Sequence, residues 1–124
     1  MRQVRLERAG ESRPAVVYEA FGERLRGLMG RRRFPSGLAA VLFPHTAAIH
    51  TCWMRFAIDV AYLDREGRVL RVTPAMGPWR LGPWVQGAWW TVEAPAGTLA
   101  DWRPGDRVRI RPDAVTAGGS GPGR

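Results

Sequence analysis

Ile49-His50-Thr51-Cys52-Trp53-Met54-Arg55-Phe56-Ala57-Ile58-Asp59-Val60-Ala61-Tyr62-Leu63-Asp64 is the longest mostly apolar run in the chain. It nonetheless carries one of the two histidines, the sole cysteine and two aspartates. Polar groups in such a run must be hydrogen-bonded or put to use, because burying them unpaired is costly. Alternation across residues 49–56 predicts a strand with His50, Cys52, Met54 and Phe56 on one side. After a break, the apolar density of 58–63 predicts a buried strand holding Asp59 beside Ala61 and Leu63. Asp64-Arg65-Glu66-Gly67 reads as a turn with glycine placed for a positive φ, and 68–73 returns as the partner strand.

Working outward, residues 4–8 alternate as a half-buried strand, 9–14 read as a turn, and 15–19 as a second strand completing a hairpin. Phe21, Leu25, Leu28 and Met29 lie on one helical face, which predicts a short helix over 21–29 stopped by Gly30. A loop over 31–37 leads to a buried strand over 38–43, closed by Pro44. Residues 73–87 are rich in Pro, Gly and Trp and read as an ordered irregular loop. A strand follows over 88–93, broken by Pro95-Ala96-Gly97, and Thr98 is placed to cap a helical turn through Trp102. Arg103-Pro104-Gly105-Asp106 fits a type II turn, and 107–111 alternate as a last strand. The expected architecture is α+β, mainly antiparallel β: a single compact barrel-like sheet domain over 1–112, with one short helix near residues 21–29. Residues 113–124 are expected to form a disordered Gly/Ser/Pro-rich tail.

Composition narrows the classes. The 124 residues suit one domain, and 15 Gly with 10 Pro favour short strands joined by turns. No apolar run approaches the roughly 18 residues needed to cross a bilayer. Met1-Arg2-Gln3-Val4-Arg5 leads into no apolar signal region. One cysteine cannot form an internal disulfide. The expectation is a cytoplasmic protein with no membrane association. The net charge is +8, and all nineteen basic residues are arginine. A total lack of lysine reads as compositional bias, so Arg31-Arg32-Arg33 leave nucleic-acid binding as the weaker alternative. No RNP-like or KH-like signature accompanies it.

Candidate chemistry centres on a few side chains. His50 and Cys52 would stand side by side on a strand, yet nothing orients the imidazole to activate the thiol. His45 and His50 are five apart, which matches no local zinc spacing, so no metal or other cofactor is expected. Asp59 and Glu93 suit ion pairs with Arg24, Arg55 or Arg80 that would tie helix, hairpin and loop together. A pocket is the alternative, with Met54, Trp79 and Trp89 as walls and Arg24, His50 and Arg80 as polar anchors. Its arginines favour a small anionic ligand. The six tryptophans read as core fillers beneath the long loop before they read as stacking platforms for RNA.

Several pieces together resemble the bacterial and archaeal "domain of unknown function 192" family. They are Arg24-Leu25-Arg26-Gly27-Leu28-Met29-Gly30-Arg31, Ile49-His50-Thr51 with Met54 and Phe56, Ile58-Asp59-Val60 through Leu63-Asp64, Pro78-Trp79-Arg80, Glu93-Ala94-Pro95-Ala96-Gly97 and Gly105-Asp106. The resemblance spans about residues 20 to 110 in family order. It implies a compact, mostly β domain with a short helix and a barrel-like sheet, and it implies no activity. The resulting expectation is a non-enzymatic small-ligand binding or interaction module. Its pocket would draw on Arg24, His50, Met54, Asp59, Trp79, Arg80 and Glu93. The alternatives are an enzyme using His50 with Asp59 or Glu93, with or without a metal, and a basic RNA-associated protein.

Overall fold

The computed structural model describes residues 2–19, 28, 30–46, 49–52 and 54–113. Seven strands form one sheet: β1 (Arg2–Arg8), β2 (Glu11–Val17), β3 (Ala40–Pro44), β4 (Ile58–Leu63), β5 (Val69–Met76), β6 (Trp90–Pro95) and β7 (Arg109–Pro112). Their order is β5-β4-β6-β3-β2-β1-β7. Every neighbouring pair is antiparallel except β2 and β3, so the sheet is mixed. A parallel pair needs a long crossover, which the connection 18–39 supplies. No helix occurs among the described residues. The helix predicted over 21–29 falls, apart from Leu28, outside them.

Local chemistry sets several boundaries differently from the sequence expectation. Ala9 and Gly10 both have positive φ, 52° and 82°, forming a two-residue turn whose twist suits a hairpin. The turn predicted over 9–14 therefore shrinks to two residues, and β2 begins at Glu11. Pro14 is tolerated inside β2 because the β3 ladder starts only at Ala15, so no strand lies beside its missing N–H. Among the described residues of 49–56 the predicted strand does not form; of these only His50 pairs, in an isolated bridge with Leu81. Its apolar residues serve as a cover on the sheet, a role that alternation alone does not distinguish from a strand. The turn at 103–106 has its predicted form: Asp106 N–H donates to Arg103 O (3.0 Å), and Gly105 has φ 96°.

The sheet curls until its two edges meet at one end. Arg68 bridges Arg107, and Val108 N–H donates to Gly67 O at 2.8 Å. Gly67 is required there, because its φ is +89° and an added Cβ would lie 2.1 Å from the Val108 carbonyl. No ladder joins β5 to β7, so the barrel-like expectation is corrected to an open sheet closed at a single bridge. β7 is only four residues long and is already committed to β1.

Period-two alternation divides the core into two faces. The inner face holds Val4, Val17, Leu42, Ala61, Leu63 and Val92, with Leu99 and Trp102 packed beneath. The other face holds Val16, Val41, Phe43, Ile58, Val60 and Tyr62. Three long connections cover this second face. Leu28, Phe34 and Leu38 come from 18–39, Ile49, Met54 and Phe56 from 45–57, and Val85 and Ala88 from 77–89. It is called the loop face below.

Candidate functional site

Thr51 fastens two of these connections together. Its hydroxyl donates to Gly77 O (2.6 Å) and accepts from Arg80 N–H (2.8 Å). Its own N–H donates to Arg80 O (2.8 Å), while its carbonyl accepts from Trp79 N–H (2.9 Å) and Met54 N–H (3.1 Å). The residue is fully buried. This latch holds Trp79 at φ +61°, a left-handed conformation that costs a bulky residue roughly 1–2 kcal/mol. Beside it, Gly82 packs so closely that a Cβ would stand 2.7 Å from the Tyr62 hydroxyl and 3.1 Å from Ile49 O.

The two buried carboxylates of the adjacent strands β4 and β6 point to opposite faces. Asp59 lies opposite Ala94, and Glu93 opposite Val60 and Val41. Asp59 Oδ1 accepts from Ala75 N–H (2.8 Å), and Oδ2 from Gly97 N–H (2.8 Å) and Leu99 N–H (2.9 Å). It thus ties β5 and the 96–101 turns to β4. The guanidinium pairing expected for Asp59 is replaced by backbone amides, because three N–H groups reach it first.

Glu93 is the contrary case. It is buried on the loop face, and no ion pair or hydrogen bond holds its carboxylate among the described residues. Burial among Val41, Val60 and their neighbours penalises the charged form and pushes its pKa up to about 8. Register places Thr91 two residues before Glu93 on the same face of β6, between Phe43 and Tyr62. The hydroxyls of Tyr62, Thr73 and Thr91 are all buried without a partner of full hydrogen-bonding geometry among the described residues, although those of Tyr62 and Thr73 stand close enough to interact. The Tyr62 hydroxyl is raised in pKa, first by burial and then by the nearby Glu93, while Arg71 and Thr73 oppose the shift. Three buried hydroxyls and the buried Glu93 carboxyl therefore share one patch beneath the loops.

The DUF192 family, described as "Uncharacterized ACR", matches residues 4–110. This chain belongs to that family. No curated protein matches it. Among solved structures it is similar to a protein of unknown function from Novosphingobium aromaticivorans, at 18% identity and a TM-score of 0.71, over 86% of this chain and 83% of that one. A Sinorhizobium meliloti protein named a "putative transcription regulator" superposes with a TM-score of 0.67 at 21% identity, covering 87% and 92%. A Burkholderia pseudomallei "putative exported protein" reaches 0.50 at 14% identity, covering 87% of this chain and 24% of that one. These likenesses carry the fold.

The DUF192 chain brings some of the sequence-predicted residues together and separates others. Met54 is buried on the same face as Glu93. His50 is exposed in the bridge to Leu81, and its Nδ1 accepts from Cys52 N–H (3.2 Å), so a neutral ring carries its proton on Nε2. Trp79 and Arg80 are exposed, with Arg80 engaged through its backbone. Asp59 lies on the other face, and Arg24 is outside the described residues. Trp89 packs elsewhere, its ring 3.9 Å from His45 and 4.0 Å from the Arg65 guanidinium. The described residues contain no cluster of three metal-ligating side chains, and no helix long and apolar enough to cross a membrane. Sequence reasoning gave no role to Thr51, Tyr62, Thr73 or Thr91. Thr91 and Glu93 are two apart in a strand, which is the signal that could have paired them.

Proposed function

We propose that this DUF192 protein is a non-enzymatic binding module whose ligand seat is the loop-face patch around Glu93. The observation that carries the reading is the buried Glu93, with no ion pair or hydrogen bond among the described residues, beside the three buried hydroxyls of Tyr62, Thr73 and Thr91. Unsatisfied buried donors and acceptors each cost about 1–3 kcal/mol, so a set of them in one patch is maintained against selection for stability only if something uses it. Met54 and Val60 supply apolar walls, and Gly82 allows the 77–89 connection to close over Tyr62. His50, Trp79 and Arg80 form the rim.

The chemistry favours an uncharged polar ligand over the anion that the arginines suggested. A carboxyl whose pKa is near 8 keeps its proton at neutral pH and donates a hydrogen bond, and it repels an anion when ionised. Asp59 takes no part, since its oxygens are engaged by three amides; this weakens the enzyme alternative built on His50 with Asp59. The module is read as one domain over 1–112, supported by the single sheet that runs from Arg2 to Pro112. A cytoplasmic setting accompanies the proposal, supported by the partly accessible free thiol of Cys52.

Mass spectrometry of protein purified directly from its host tests the seat. Wild-type protein is expected to release a small neutral molecule near one equivalent on denaturation, and Glu93→Leu to release none while remaining folded. An empty wild-type protein that also gains no thermal stability from a panel of neutral polar metabolites ends the reading.

A further inference from the structure

Three large hydrophobic side chains are exposed among the described residues, and all three lie within six positions of one connection: Trp79 (58%), Leu81 (82%) and Trp84 (77%). Scattered surface apolar residues are ordinary, but a cluster confined to one loop is not. The loop is also braced. Thr51 holds residues 77–80 by backbone and hydroxyl bonds, Leu81 is paired with His50, and Trp79 is kept in a left-handed conformation that few bulky residues adopt. Strain maintained at an exposed aromatic points to use of that aromatic.

Charge narrows the partner. By sequence, the three connections 18–39, 45–57 and 77–89 hold seven arginines against two glutamates, net +5 of the chain's +8. Between Glu66 and Glu93 the chain has no acidic residue. The tip itself carries Arg80 between Trp79 and Leu81, and Arg55 is exposed on the adjoining connection. Tryptophan favours the boundary between lipid headgroups and acyl chains, leucine favours the hydrocarbon, and arginine reaches the phosphates. Single-stranded nucleic acid would use the two indoles and the arginine but leave Leu81, the most exposed of the three, with nothing to stack on.

We propose that the Trp79–Leu81–Trp84 tip docks this protein peripherally on an anionic lipid bilayer, with Arg80 and Arg55 against the headgroups. No chain segment spans the bilayer in this arrangement. It revises the sequence expectation of no membrane association, and it stands independently of the Glu93 seat.

The test uses the full chain and sedimentation with vesicles of phosphatidylcholine alone or mixed 3:1 with phosphatidylglycerol. Wild-type protein is expected to bind the anionic vesicles, to lose binding as salt rises, and to show a blue-shifted tryptophan emission on binding. Leu81→Ser combined with Trp84→Ser keeps every charge, so the expected loss of at least tenfold in partitioning reports the tip and not bulk attraction. Both side chains are exposed, and an unchanged unfolding midpoint verifies the fold. Failure of the wild type to bind anionic vesicles at 50 mM salt overturns the proposal. So does binding that the double variant leaves unaltered, or retention on a single-stranded oligonucleotide in place of vesicles.

Discussion

Asp59 and Glu93 sit on adjacent strands and are both buried, yet they have opposite fates. On the inner face three backbone amides converge on Asp59, so its charge is held by fixed dipoles. On the loop face Glu93 meets valines and buried hydroxyls, and its charged form is penalised. The difference lies in what covers each face. Tight turns after β6 and the bulged edge strand β5 bring free N–H groups to Asp59, whereas the long connections over Glu93 bring side chains and a glycine. A carboxyl group thus serves as a structural clasp on one side and, on the other, lies buried with no ion pair or hydrogen bond among the described residues.

Asp59→Ala tests the clasp most severely. It leaves three N–H groups without their acceptor, and the expected loss is about 4 kcal/mol in denaturant unfolding. A loss below about 1 kcal/mol would show that the amides find other partners and would dissolve the contrast. Glu93→Gln should act in the opposite direction. Folding raises the Glu93 pKa from 4.5 to about 8. Between those values the folded state keeps a proton that the unfolded state has released. Its contribution is fully present below pH 4.5 and declines as pH rises through the window, by at most about 1.4 kcal/mol per unit. Above about pH 8 no further loss follows. Glu93→Gln should therefore flatten the stability profile and exceed wild type by about 5 kcal/mol at pH 8.5. A wild-type profile flat between pH 5 and 8 contradicts the assignment.

Gly67→Ala probes the closure of the inner face, where φ is +89° and the Val108 carbonyl blocks a Cβ. About 2 kcal/mol should be lost, together with amide-exchange protection at Val69 and Val108. Thr51→Val is the mildest change. It removes the hydroxyl bonds to Gly77 and Arg80 on the loop face. The expected cost is about 1 kcal/mol, with faster exchange at Arg80 and no change at Leu99. Faster exchange at Leu99 would mean that the two faces are not energetically separate.

Much of the sheet was legible because strands and tight turns are encoded locally. The buried run at 58–63, the Asp64–Gly67 turn and the Arg103–Asp106 turn all follow from neighbours in sequence. The stretch 49–56 was misread as a strand because a cover of alternating apolar residues has a strand's signature without its hydrogen-bond partner. The site was less legible. Glu93 was singled out by type, but Tyr62, Thr73 and Thr91 became neighbours only through the pairing of β4 with β5 and β6. Asp59 was grouped with Glu93 because both are acids in apolar runs, and composition cannot assign a face.

By itself the sequence determined a single mainly β chain, its family, and the places where glycine and proline turn the backbone. These depend on period-two patterning and on φ restrictions, which act over a few residues. Tertiary structure alone decided that the sheet stays open but for one bridge, that Thr51 latches two loops, and that three backbone amides converge on Asp59 while Glu93 is buried among valines. Those outcomes depend on register and on which distant backbone groups arrive within 3 Å of a side chain, and no local property of the chain contains that information.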